Sequence, residues 1–253
     1  MRLNSSLVFV TAAFVLTFKA GRVMAADCST NCTSSGAHII VARESGAPNG
    51  VSVMNTVAEE VATRCPGSDI AGVPYPAEFN PYVESEGEGI GNLTEMVLGY
   101  QGCCPGSQVV LMGYSQGAQV TADFLCGNSE TGFPETEAYA SSVTDIVAAI
   151  VLMGDPSFVV GLPWDNGTAD NVSYFPRLNT SACDPVADRS KHFPRKIWNY
   201  TEGLGVDLLV VISYCDANDY YCDSGTSIVV HANYVTKYHS EATDFVVELL
   251  GGC

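Results

Sequence analysis

Gln108-Val109-Val110-Leu111-Met112-Gly113-Tyr114-Ser115-Gln116-Gly117 is the stretch on which the reading of this chain turns. Its first half is apolar and rich in β-branched residues, the composition of a buried strand. Its second half is a G-x-S-x-G pentapeptide. The residues that follow, 118–126, carry Val120 and Phe124 four apart, a helical spacing. Strand, G-x-S-x-G and helix in that order is the context of a nucleophile elbow, in which a serine is presented on a sharp bend. A serine hydroxyl is a weak nucleophile unless it is so exposed and has a base in reach. Gly113 and Gly117 remove the two side chains that would crowd the bend. The competing reading, a glycine-rich turn in some other α/β protein, does not require all three parts.

Working outward, apolar runs at residues 38–42, 70–73, 109–112, 146–153 and 208–213 predict five largely parallel strands. Helical patterns lie between them: Val53, Val57 and Val61 stand four apart, and Leu93, Met96 and Val97 form another face. Strand alternating with helix predicts an α/β fold, a sheet covered on both sides. In such a fold the loops at the carboxyl ends of the strands carry the site. No linker, repeat or low-complexity tract divides residues 27–253, which are expected to form a single catalytic domain.

A serine nucleophile needs a histidine base and an acid, in the chain order Ser, Asp or Glu, His for this kind of elbow. Of the four histidines, His38 precedes the elbow and His192 sits among Arg189, Lys191, Arg195 and Lys196. His239 caps or flanks a terminal helix whose apolar stripe is Ala242, Phe245, Val246, Leu249 and Leu250. His231, after Ile228-Val229-Val230 and before that helix, is the expected base. Two acids compete. Asp155 stands at a strand exit in Gly154-Asp155-Pro156, where it also serves as a turn-former. Asp219 lies between Cys215 and Cys222, two cysteines close enough to make a small cystine loop that would fix its direction, and twelve residues before His231. Asp219 is taken as the acid.

Composition bounds the rest. Residues 1–26 combine Arg2, an apolar run from Leu7 to Phe18 and a close at Ala25-Ala26, the pattern of a secretory signal peptide too short to span a bilayer. The whole chain has a formal charge of −17; residues 1–26 hold three of its eleven basic residues and no acidic one, so the remainder is near −20. Such a surface excludes nucleic acid and anionic membranes as natural partners. Ten cysteines, all after residue 26, predict disulfides in an exported protein. There is no C-x-x-C pair or histidine cluster, so no metal is expected, and no cofactor is required. Sequons at Asn31, Asn92, Asn166, Asn171, Asn179 and Asn199 suit a secreted glycoprotein, and four of them mark 154–207 as surface.

The G-Y-S-Q-G elbow at Ser115, the Y-C-D-x-x-D-x-x-C loop at 214–222, the later His231 and the early Ile39-Ile40-Val41-Ala42-Arg43-Glu44-Ser45 together resemble the cutinase and acetylxylan esterase family. The resemblance covers nearly all of residues 27–253. It implies a lidless, three-layer α/β/α hydrolase with a five-stranded, mainly parallel sheet, acting as a secreted, monomeric serine esterase. It implies Ser115 as nucleophile, His231 as base, Asp219 as orienting acid, and the N–H groups of Ser45 and Gln116 as the oxyanion hole. It further implies disulfides Cys215–Cys222 and Cys32–Cys104; exclusion then adds Cys126–Cys183, Cys65–Cys103 and Cys28–Cys253. Three departures stand out: adjacent Cys103 and Cys104, a long polar 154–207 segment, and a short stretch from Cys222 to His231. The expected substrate is a small ester or an ester-bearing plant polymer with short acyl groups. Ile228 to Val230 resemble cutinases and tip the expectation to cutin, whereas Gly154-Asp155-Pro156 and Tyr214-Cys215-Asp216 resemble acetylxylan esterases. Tyr75, Tyr82, Tyr220, Tyr221 and Tyr234 are candidates for stacking on sugars. A secreted recognition protein without turnover is the other class, against which an intact triad argues.

Overall fold

Two apolar stretches, 37–42 and 108–114, lie side by side at the centre of the molecule as strands β1 (Ala37–Ala42) and β3 (Gln108–Tyr114), with Ile40 opposite Leu111. The computed structural model describes Cys28 and residues 31–50, 52–187 and 210–253. The expected signal segment 1–26, the basic stretch around His192, the sequon at Asn199 and residues 208–209 of the fifth expected strand lie outside them.

Between β1 and β3 run α1 (Asn55–Arg64), β2 (Asp69–Gly72) and α2 (Tyr82–Cys103). After β3 come α3 (Gln116–Cys126), α4 (Ala140–Val143), β4 (Val147–Met153) and a short β5 (Asp165–Gly167). A 3₁₀ turn (Ser181–Cys183) leads into α5 (Asp184–Ala187), and β6 (Val211–Cys215), α6 (Ile228–His231) and α7 (Tyr234–Leu249) complete the order. The sheet has six strands, all parallel, in the order β2-β1-β3-β4-β6-β5. The expectation of five strands is therefore corrected: the three-residue β5 adds to the edge beyond β6. Its residues, Asp165-Asn166-Gly167, have no apolar pattern, because only backbone pairing with β6 makes them a strand.

The order reverses direction at β1 and β3. Right-handed crossovers then put α1 on one face and α2 and α3 on the other. The packing agrees, with α1 against α7 and α2 against α3. β1, β3 and β4 are buried on both faces, which is why they read as continuous apolar runs. The amphipathic helices bury Val57 and Val61 on α1, Leu93 and Val97 on α2, and Ala242, Val246 and Leu249 on α7, whereas Val53, expected on the same face as Val57 and Val61, precedes α1 and is exposed.

All ten cysteines are paired. Cys215–Cys222, Cys32–Cys104 and Cys126–Cys183 join as expected. The other two expected pairs, Cys65–Cys103 and Cys28–Cys253, are not formed: the bridges are Cys28–Cys103 and Cys65–Cys253. The reason is placement. Cys65 ends α1, which packs beside α7, so the chain's last residue reaches it. Adjacent Cys103 and Cys104 take partners four residues apart in the N-terminal segment, each with Cα atoms 5.4 Å apart.

Candidate active site

The reversal of strand order opens a crevice at the carboxyl ends of β1 and β3, where ligands sit in sheets of this kind. Ser115 stands at the tip of β3 with φ +55° and ψ −122°, a conformation rare for a residue with a side chain and the mark of a strained elbow. Both glycines are sterically required. A Cβ on Gly113 would collide with the Gly117 carbonyl and the Ala118 Cα; one on Gly117 would collide with the Ala42 carbonyl. The elbow is thus wedged against the exit of β1.

His231 and Asp219 reach Ser115 from one continuous loop after β6. His231 Nε2 lies 2.9 Å from Ser115 Oγ, and Nδ1 lies 2.9 and 3.2 Å from the two Asp219 carboxylate oxygens. A carboxylate only accepts, so Nδ1 carries the hydrogen and Nε2 is left as an acceptor facing the serine hydroxyl. Asp219 is fully buried, and its Oδ1 accepts the N–H groups of Tyr221 (2.7 Å) and Cys222 (2.9 Å) inside the cystine loop. Burial by itself would raise its carboxyl, but the hydrogen bond to His231, that residue's charge and the two N–H groups outweigh it and hold the carboxyl below its ordinary range. The short stretch from Cys222 to His231 suffices because it folds back on the loop. Gly225 N–H donates to the Asp219 carbonyl, Ser227 N–H to the Asn218 carbonyl, and the Ser227 hydroxyl caps α6, the single turn that carries His231.

Gly154 and Tyr114, to which sequence reasoning gave no such role, and Tyr221, which it named only for sugar stacking, pack around His231. Gly154 takes φ +62°, and a Cβ there would fall 2.9 Å from His231 Cε1. The Tyr114 hydroxyl donates to the His231 carbonyl at 2.5 Å, and the Tyr221 ring meets the imidazole edge to face at 4.6 Å. Arg43 anchors the loop after β1: its guanidinium donates to the carbonyls of Ala47 (3.0 Å), Val73 (3.1 Å), Tyr75 and Pro76 (3.1 Å), and lies over the Tyr75 ring. Ser45 is in that loop and lines the same cleft as Ser115. Gln116 opens α3, so its N–H has no acceptor within the helix and is free for a ligand at the elbow. Its side chain is turned away, donating to the Glu78 carbonyl and accepting from Ser85.

The remaining candidates lie elsewhere. Asp155 is buried and accepts from the N–H and hydroxyl of Ser157, as a turn-former does. His38 pairs with Asp69 and stacks on Tyr100, and His239 sits within α7 near the Thr56 carbonyl. Among the described residues, no three His, Cys, Asp or Glu side chains are grouped to hold a metal ion, and no helix is long and apolar enough to cross a membrane. The cleft over Ser115 has a volume of about 260 Å³. Tyr82, Tyr220 and Tyr221 line it, together with Phe79, Pro156, Tyr174 and Phe175, which sequence reasoning did not select. Tyr75 and Tyr234 are buried away from it.

A parallel α/β sheet with a serine elbow, a histidine and a buried aspartate in this arrangement defines the α/β-hydrolase class. Within that class, the cutinase family profile matches residues 32–250, and the chain belongs to that family. It is similar to acetylxylan esterase 2 of Talaromyces purpureogenus, at 31 % identity over 85 % of this chain and 86 % of that protein. It is also similar to cutinase 11 of Verticillium dahliae, at 30 % identity over 93 % of this chain and 74 % of that protein. A solved acetylxylan esterase structure superposes with a TM-score of 0.73 and 30 % identity, covering 87 % of this chain and all of the other.

Proposed function

We propose that this protein is a secreted serine esterase that cleaves short-chain acyl esters of plant cell-wall polymers through Ser115, His231 and Asp219. The observation that carries the reading is the unbroken chain of hydrogen bonds from Ser115 Oγ through the imidazole to a buried carboxylate, opening on a cleft. His231 Nε2 takes the Ser115 proton as Oγ attacks the ester carbonyl, and Asp219 stabilises the imidazolium. The N–H groups of Gln116 and Ser45 bind the oxyanion. Protonated His231 then returns the proton to the departing alcohol, and water releases the acid by the reverse route. On this reading residues 27–253 form one monomeric catalytic domain and 1–26 direct export, which the five disulfides support.

Acetyl groups on a sugar backbone suit the cleft better than cutin does. Its walls are aromatic, which favours stacking on pyranose rings. The residues that tipped the expectation to cutin do not border it: Ile228 and Val229 are exposed on α6, and Val229 and Val230 line a separate hollow with Asp216 and Lys237. The cutin reading keeps the support of the Verticillium dahliae relative. Rates on p-nitrophenyl esters of rising chain length, set beside acetate release from acetylated xylan, test the two. Acetate release with activity falling along the ester series supports the xylan reading; preference for long acyl chains, with a jump in rate at an emulsion surface, overturns it. Failure of a fluorophosphonate to label Ser115 would overturn the esterase reading itself.

A further inference from the structure

Behind the aromatic wall of the cleft lies a buried group of charges for which the proposed reaction has no use. Glu86, Asp123, Glu130, Asp155 and Arg177 are each no more than 7 % exposed. They come from α2, α3, the loop after α3, the exit of β4 and the segment after β5. The Arg177 guanidinium donates to the Asp123 carboxylate and, at 2.7 Å, to Ser157 Oγ, and lies 3.2 Å from Glu130. Ser157 donates in turn to Asp155 at 2.7 Å, and Asn128 links Glu86 to the group at 3.3 Å. Glu86 Oε1 and Asp123 Oδ2 are each buried with no hydrogen-bond donor. A buried carboxyl oxygen left without a donor favours the protonated form of its group.

The same elements build the cleft. Tyr82 stands one turn before Glu86 on α2, Pro156 follows Asp155, and Phe175 precedes Arg177 by two residues. The backbone joins them as well: Phe175 N–H donates to the Pro156 carbonyl at 2.8 Å and Arg177 N–H to the Ser157 carbonyl at 3.2 Å. The Tyr82 and Phe175 rings lie 5.5 Å apart.

We propose that Arg177 is a positioning residue for the substrate cleft: it ties α3, the β4 exit and residues 174–177 into one clamp that sets Phe175 against Tyr82 over Ser115, and the clamp holds while the buried carboxyls around it keep a proton. The inference rests on the esterase reading of the Ser115 cleft. The charge balance explains the dependence on the proton. Four carboxylates around one guanidinium, with the Tyr75 and Tyr82 hydroxyls facing Glu86 and the Asp165 carboxyl facing Asp155, would leave a large negative excess in a buried space. Burial pushes the Glu86 carboxyl up to about 8, aided by the charges of Glu130 and Asp155 and opposed by Asp123 and Arg177. Ionising it loosens the wall without touching the triad, so KM rises and kcat holds.

The test measures kcat and KM for p-nitrophenyl acetate from about pH 6.5 to about pH 9 in the wild type, Glu86→Gln, Arg177→Lys and Ser115→Ala. The wild type should show KM rising about fivefold toward the alkaline end with kcat nearly constant, and Glu86→Gln should show no such rise. Arg177→Lys, which loses the planar fork, should show KM raised about tenfold at neutral pH already, with kcat within about threefold. A flat wild-type KM, or an alkaline rise that persists in Glu86→Gln, overturns the proposal even if Arg177→Lys does not fold. An inactive Ser115→Ala alongside a flat KM removes the clamp and leaves the esterase reading standing. An active Ser115→Ala removes both.

Discussion

On the proposed mechanism Ser115, His231 and Asp219 act as a unit, which sets what single substitutions should do. Ser115→Ala, His231→Ala and Asp219→Ala are each expected to lower kcat by roughly 10⁴-fold, and the triple variant by little more, because each removes the same proton path. His239→Ala, at a half-buried position on α7 where the ring lies near the Thr56 carbonyl, is the control and should keep its activity. Steady-state kinetics of the five variants decide the matter; near-additive losses would show that the three do not form one path. Gly154 offers a sharper probe. Its positive φ and the 2.9 Å approach to His231 leave no room for a methyl group, so Gly154→Ala should push the imidazole off Ser115 and cost about a hundredfold in kcat. Fluorophosphonate labelling of Ser115 should slow in parallel. Asp155 and Asp219 looked alike as strand-exit aspartates; they differ in that Asp219 has a histidine to orient and Asp155 has a serine turn to close.

At the scale of elements, the cystine loop after β6 is what holds the Asp219 carboxylate, the acid of the proposed mechanism, in place. Cys215 and Cys222 are seven residues apart, so closing them constrains the unfolded chain by only about 2.5 kcal/mol, against about 5 kcal/mol for Cys65–Cys253. The Asp219 carboxylate, however, takes two N–H groups from within that loop. Replacing both Cys215 and Cys222 by Ser should therefore lower kcat about a hundredfold while moving Tm by only a few degrees. Kinetics together with a thermal melt read both quantities, and a large fall in Tm with kcat intact would reverse the assignment. The α6 turn could not be read from its sequence. Ile228-Val229-Val230 is β-branched and looks like strand, yet the Ser227 cap and the bridge of residues 218–219 to 225–227 wind it into a helical turn that leaves Ile228 and Val229 exposed.

Across the whole molecule, Cys65–Cys253 ties the end of α1 to the last residue, 188 positions away, and lies far from the elbow in the fold. Cys65→Ser with Cys253→Ser should lower Tm by roughly 10 °C and leave kcat at room temperature unchanged, the opposite of the cystine-loop variant. The buried carboxyls govern how stability varies with pH. Glu86 is raised from 4.5 to about 8 in the fold, so the folded state holds its proton more tightly than the unfolded chain. Its contribution is complete below pH 4.5 and is lost as pH rises from there to about 8. Melts across that window should show Tm declining, and Glu86→Gln should flatten the decline. A wild-type Tm that rises over the same window would contradict the sign.

Sequence alone determined what depends on neighbours along the chain. Strand, elbow and helix around Ser115 follow from apolar run, paired glycines and helical spacing, and the stripes on α1, α2 and α7 from periodicity. Position in chain order nominated His231, and the flanking cysteines singled out Asp219 over Asp155. Tertiary structure decided what depends on segments distant in sequence. The edge strand β5 exists only through its pairing with β6, and Cys65 takes Cys253 only because α1 lies beside α7. Phe79, Tyr174 and Phe175 become a cleft wall when two separate loops meet over Ser115. Glu86 ran against every local signal, since a glutamate in an α-helix reads as solvated. Its burial became visible once α3, the β4 exit and Arg177 closed around it, because a buried charge is tolerated only where distant partners supply its hydrogen bonds and its proton.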